Sequence, residues 1–191
     1  MRERIMMKKK FALIAAALFT ITTLAPAQRH MSSDKSKRPS PPASAECRLS
    51  GGKTVKIDYS SPRAKGRKIF GTATDKALVP YGDVWRTGAN EATTFVTDTD
   101  VKVGGKDVPA GSYTIFTIPN ADAWTLIINK KTGEWGIPYK YESDELARVD
   151  MRVSKTASPV EDFTIAFEGS GSKCTLRMEW EDTRASVEIT K

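Results

Sequence analysis

Apolar and polar residues alternate with a period of two along most of the chain after residue 50. Val55, Ile57 and Tyr59 alternate with Lys56 and Asp58, Val101 and Val103 flank Lys102, and Val149, Met151 and Val153 alternate with Asp150 and Arg152. Phe163, Ile165 and Phe167 share a face, as do Cys174, Leu176, Met178 and Trp180, and then Val187 and Ile189. Such alternation predicts strands with one face in a core and the other in water. Residues 113–118 (YTIFTI) and 124–128 (WTLII) are more continuously apolar and predict central strands covered on both sides. Gly104-Gly105 predicts a tight hairpin, and 109–111, 119–122, 169–172 and 181–183 carry the composition of further turns. No stretch of ten or more residues shows strong helical periodicity; residues 143–148 support at most one turn. The expected fold is all-β, an antiparallel β-sandwich or flattened barrel with at most short helical turns.

The N-terminal part follows a different pattern. Arg2, Arg4, Lys8, Lys9 and Lys10 precede an apolar run over 11–24, and Ala25-Pro26-Ala27 places small residues where a signal peptidase reads. The run of 14 residues falls short of the ~20 that a spanning helix needs. Residues 1–27 therefore read as a secretory signal cut before Gln28, with no membrane span left after cleavage. Residues 28–46, rich in Pro and Ser and poor in apolar side chains, read as a disordered tether. A single β-rich domain over 47–191 is expected, located in the periplasm or secreted.

This division changes the meaning of the charge. The chain carries 30 Lys and Arg against 23 Asp and Glu. Ten of the basic residues and three of the acidic ones lie in 1–48, so 49–191 holds 20 of each. A neutral domain lacks the basic face of a nucleic-acid binder, and no nucleic-acid partner is expected. Two cysteines remain after export, Cys47 and Cys174, and in an oxidising compartment an even pair points to a disulfide joining the first strand to one of the last.

The residue inventory removes several chemistries. The single histidine is His30, in the tether, so the domain holds no Ser-His-Asp or Cys-His nucleophile system and no histidine-rich metal site. Residues 66–72 resemble a phosphate loop, but Thr72 stands where the motif requires lysine. No cofactor and no metal are expected. Candidate chemistry concentrates in two loops. Residues 78–95 (LVPYGDVWRTGANEATTF) bring together Trp85, Arg86, Asn90 and Glu91, and residues 134–149 carry Trp135 and Tyr141. Aromatic rings beside Arg, Asn and acid groups are the makings of a platform for a glycan or small ligand. The competing expectation is a small aromatic core pinning the loops, with Arg86 serving buried carbonyls. Asp83, Glu91 and Asp144 are the carboxylates a hydrolase would draw on; Glu142 and Glu145 crowd the second loop as well.

Taken in order, residues 58–71, 78–93 and 109–119, the Trp124 strand, Trp135-Gly136 with Tyr141, Asp144 and Arg148, and the C-terminal strands resemble a bacterial exported family known as domain-of-unknown-function family 2911. The resemblance covers essentially all of 50–190. It implies an exported, mainly β bacterial domain, and it brings no established catalytic residues to carry over. The leading expectation is a non-catalytic ligand- or partner-binding module of the cell envelope, with a hydrolase and a purely structural module as rivals.

Overall fold

The computed structural model describes residues 34–191; the expected leader, His30 and the start of the tether lie outside the described residues. Alternation becomes eleven strands: β1 (Pro42–Leu49), β2 (Lys53–Ser60), β3 (Phe70–Gly71), β4 (Val79–Pro80), β5 (Thr93–Thr97), β6 (Val101–Val103), β7 (Lys106–Val108), β8 (Gly111–Ile118), β9 (Ala123–Asn129), β10 (Glu145–Ser170) and β11 (Lys173–Thr190). Nine of them form one antiparallel sheet in the order β1-β2-β5-β8-β9-β10-β11-β6-β7, and β3 and β4 pair in parallel beside it. Helical structure among the described residues is limited to three-residue 3-10 turns at Lys35–Lys37, Ala73–Asp75 and Glu142–Asp144. No helix there is long and apolar enough to cross a membrane.

The sheet is not closed into a barrel, yet it folds over far enough for its first strand to meet the β10–β11 hairpin. Leu49 bridges Gly171, with Ser50 N–H donating to the Gly171 carbonyl and Gly171 N–H to that of Arg48, both at 2.9 Å. One face is thereby buried against itself. Val55, Ile57, Phe95, Ile115, Leu126, Ile128, Phe163, Leu176, Met178 and Ile189 supply much of this interior. β8 and β9 sit centrally, as their continuous apolar sequence requires, and Phe116 and Ile127 are buried on their other face. Gly104 and Gly105 make the β6–β7 hairpin with φ of 54° and 83°, the left-handed geometry such a two-residue turn demands.

Three local features differ from the sequence reading. β1 begins at Pro42, so residues 42–46, whose Pro and Ser content reads as tether, are strand. Their partners are Lys56 to Ser60 of β2, and Ala43 and Ala45 give the alternation with side chains too small to register as apolar. Residues 181–183 do not separate two strands. Glu181 takes a left-handed φ of 49° opposite Val160, and β11 runs on through it. The matching irregularity in β10 lies at register shifts between Lys155 and Val160 and between Val160 and Thr164. A bulge lets a long strand bend without ending, and it joins 149–153 and 163–167 into one β10.

Cys47 and Cys174 are both buried, with Cα atoms 6.5 Å apart, at disulfide distance. A bond here closes a loop of 127 residues. In the chain-entropy picture that stabilises the fold by at most about 5 kcal/mol. Non-reducing peptide mapping should recover the two cysteines in one linked peptide. The Cys47→Ser, Cys174→Ser double variant should unfold at lower urea, by about 2 to 4 kcal/mol; unchanged stability would mean that the two thiols are unlinked in the folded protein.

Candidate functional site

Beyond the start of β5, strand β8 loses its neighbour, and the loop at 81–92 takes over. Trp85 N–H donates to the Thr117 carbonyl at 2.8 Å, and Thr117 N–H donates back to Trp85 at 2.9 Å. This single bridge fixes the direction of the next side chains, because neighbours on an extended segment point to opposite faces. Trp85 turns inward, 9% exposed, and stacks on Trp180 with centroids 5.8 Å apart and planes 19° apart. Its indole N–H donates to the Gly88 carbonyl at 3.0 Å. Arg86 emerges on the other side, where the second loop lies.

The loop is tightly held and strained. Thr87 has a φ of 57°, costly for a β-branched residue, and Asn90 a φ of 58°. Thr93 Oγ1 donates to the Thr87 carbonyl at 2.7 Å, and the Thr87 and Thr117 hydroxyls lie 3.1 Å apart. The N-terminal segment clips onto the far end of the loop. Arg38 Nη1 donates to both carboxylate oxygens of Glu91 at 3.0 and 2.9 Å, Lys35 lies 3.4 Å away, and Asn90 Nδ2 donates to the Ser40 carbonyl at 3.0 Å. Burial pushes the Glu91 carboxyl up. Its own backbone N–H and the two cations outweigh that, and its pKa lies below the ordinary value.

The second loop packs over the outer face of β8 and β9. Phe116 meets Tyr139 edge-on at 4.8 Å and stacks with Tyr141 at 6.0 Å. Gly136, with φ 93°, approaches so closely that a Cβ there would lie 2.8 Å from Ala92 Cβ and 3.1 Å from the Phe116 ring. Asn129 donates to the Tyr141 carbonyl at 2.7 Å and the Tyr139 hydroxyl at 3.2 Å; Tyr139 donates to Glu145 at 2.6 Å; Glu145 takes two bonds from Arg148, at 2.7 and 2.9 Å. Burial, then the neighbouring Glu145 carboxylate, drive the Tyr139 hydroxyl pKa far up. The Arg148 guanidinium holds Glu145 below the ordinary carboxylate range against the opposing effect of burial.

Arg86 joins the two loops. Its Nη1 donates to the Asn90 carbonyl and, at 3.1 Å, to the Trp135 carbonyl, and its guanidinium lies 5.0 Å from the Trp135 ring centroid. Burial depresses its pKa. Beside it runs a groove of about 420 Å³ that reaches Trp85, Arg86 and Asn90 of the first loop, Ile137 of the second and Arg67 of the basic 65–68 segment. Of the six sequence candidates, Trp85, Arg86 and Asn90 line this groove. Trp135 stacks on Arg86, Tyr141 belongs to the outer aromatic layer, and Glu91 lines a separate depression with Lys35 and Tyr59. Asp83 lines the first groove and Asp144 neither. Among the described residues no group of three or more His, Cys, Asp or Glu is placed to hold a metal ion.

A family profile described as "Protein of unknown function (DUF2911)" matches residues 40–189. The chain belongs to this family. No curated protein and no solved structure matches it. The DUF2911 match spans both loops, both cysteines and every strand, ending one residue before the close of β11 at Thr190.

Sequence reasoning missed Leu78, Val84 and Ile137, which line the groove. Their signal was present: each is an aliphatic residue in a loop with no strand pattern to explain it. It also missed Arg38, whose partner lies 53 positions away.

The Tyr139–Glu145–Arg148 network yields a pH prediction. Glu145 has a folded pKa below its ordinary 4.5, so its contribution is complete above that value and is lost as the pH falls through the lowered folded pKa. Glu145→Gln should cost about 1 to 2 kcal/mol at pH 7, discounted for the exposure of Arg148. The difference from wild type should shrink in urea unfolding as the pH is lowered below 4.5; a constant gap would remove the ionic part of the account.

Proposed function

We propose that this DUF2911 domain is an exported, non-catalytic binding module of the bacterial cell envelope, and that the groove between its two loops is where it binds. One observation carries the reading. The three large hydrophobic side chains exposed among the described residues are Leu78 at 46%, Trp135 at 44% and Ile137 at 36%. Leu78 and Ile137 line this one groove, and Trp135 covers the Arg86 that lines it. Scattered exposed apolar residues need no explanation, whereas a gathered set beside a concave surface marks a binding site. The strain held at Thr87 fits a segment shaped for contact.

The hydrolase reading has less support. Acid–base chemistry needs two carboxyls facing one substrate. Glu91 is held by Arg38 in another depression, and Asp83 lines the groove without Asp144 or Glu91. Export rests on the leader pattern of residues 1–27, with the buried cysteine pair in agreement.

Protein recovered from an envelope fraction of an expressing bacterium should begin at Gln28 by N-terminal sequencing; an intact Met1 in the cytosol would overturn the export reading. A ligand-observed NMR screen of glycans and small acids should give hits with the wild type. Those hits should vanish in the Leu78→Asp, Ile137→Asp double variant at unchanged melting temperature, since both side chains are exposed. Hits that persist in that variant would place binding away from the groove and overturn this reading, and no hits across the panel would leave the domain a structural module.

A further inference from the structure

We infer that the ligand of this groove carries a single carboxylate on an apolar stem, and that the Nε–Nη2 edge of Arg86 clasps the carboxylate. The inference rests on the groove being the binding site and goes on to the chemistry of what it binds.

Arg86 is unlike the other arginines near it. Arg38 also donates only through Nη1 but already has a carboxylate partner in Glu91, and Arg67 spends Nε and Nη2 on the Ala64 and Arg63 carbonyls at 2.9 and 2.5 Å. Arg86 uses only Nη1, on the Asn90 and Trp135 carbonyls. Its Nε and Nη2 donate to no protein group among the described residues, and no acidic side chain there lies within ion-pair distance of it. Nε and Nη2 form one edge of the guanidinium fork, the edge whose two parallel N–H bonds match the two oxygens of a carboxylate. The carbonyls and the Trp135 ring hold the fork, so little freedom is lost when it engages an anion. Partial burial works against the charge of Arg86, and an incoming anion would offset that penalty in a setting less screened than open water.

The rest of the lining selects what the anion is attached to. Leu78, Val84, Pro80 and Ile137 offer an aliphatic wall. Of the polar side chains on the lining, Asn90 already donates to the Ser40 carbonyl and Arg67 to the Ala64 and Arg63 carbonyls. A polyhydroxylated sugar would therefore leave hydroxyls without partners. Asp83 is the one acid on the groove wall. With Arg67 and Arg86 on the same wall, the lining carries one positive charge in excess, which matches a monocarboxylate better than a phosphate dianion.

The test uses octanoate and 1-octanol, which share a stem and differ in the head group, titrated calorimetrically into the wild-type protein. Octanoate should bind at least roughly tenfold more tightly, as expected for hydrogen bonds to a charged group. Arg86→Gln should remove that preference, and Ile137→Asp should weaken both. The wild-type comparison needs no variant, so the result stands even if Arg86→Gln folds poorly. Equal affinity for the two probes would overturn the carboxylate inference and leave the groove reading in place. Binding of octanoate untouched by Ile137→Asp would place it elsewhere and overturn the inference too. No binding of either probe would sink the groove reading and the inference with it.

Discussion

Trp85 stacked on Trp180 is the contact through which the two halves of the sheet share an interior. Phe163 packs on Trp85 with centroids 4.8 Å apart, Phe70 at 5.9 Å and Trp124 at 6.3 Å. These rings come from the 78–95 loop, from β3 of the small parallel pair, and from the adjacent strands β9, β10 and β11, and Tyr59 of β2 meets the same cluster at Phe163, 5.7 Å away. An open sheet of nine strands exposes a full apolar face, and it gains stability only by bringing that face against itself. The aromatic cluster does this in the middle of the fold, while the Leu49–Gly171 bridge and the Cys47–Cys174 pair do it at the rim. Each large ring removes on the order of 150 to 250 Å² from water, so few residues supply much of the driving force.

The same contact shapes the surface. Because Trp85 is drawn into the core while its backbone bridges Thr117, Arg86 has to leave by the opposite face. There it meets the loop that covers Phe116 and Ile127. The second loop is long because the outer side of β8 and β9 is apolar and requires a cover, and Tyr139 and Tyr141 provide it. Gly136 permits the close approach that puts the Trp135 carbonyl within reach of Arg86. The groove is thus where an inward-drawn loop and a covering loop meet without filling the space between them.

The strands were legible because their information is local. Alternation at 55–59, 149–153 and 174–180 states which face is wet, and the structure buries Val55, Ile57, Val149, Met151, Leu176 and Met178 accordingly. The gathering of chemistry at 85–91 was legible from composition alone. The direction of each side chain was not, since Trp85 is oriented by a partner, Thr117, 32 positions away, and no periodic pattern in the loop encodes that. Composition misled at 42–46 for a related reason. Ala and Ser carry no strong apolar signal, and the strand exists because β2 offers a ladder to pair with. The unity of β10 was hidden as well, because the alternation at 149–153 and at 163–167 is interrupted between them, where a bulge carries the strand through.

The clip from the N-terminal segment narrows what the loop can do. Arg38 and Ser40 already engage Glu91 and Asn90, and Arg38 is itself nearly buried, its side chain 10% exposed. Two polar groups that looked available in the sequence are therefore structural, and they hold the left-handed turn at Asn90 whose carbonyl receives Arg86. The left-handed φ of the β-branched Thr87 costs on the order of 1 to 3 kcal/mol. A loop needing only to cover the core would lose nothing by relaxing it. Here the left-handed turn, the clip and the Trp135 carbonyl all fix one guanidinium on the groove through its Nη1.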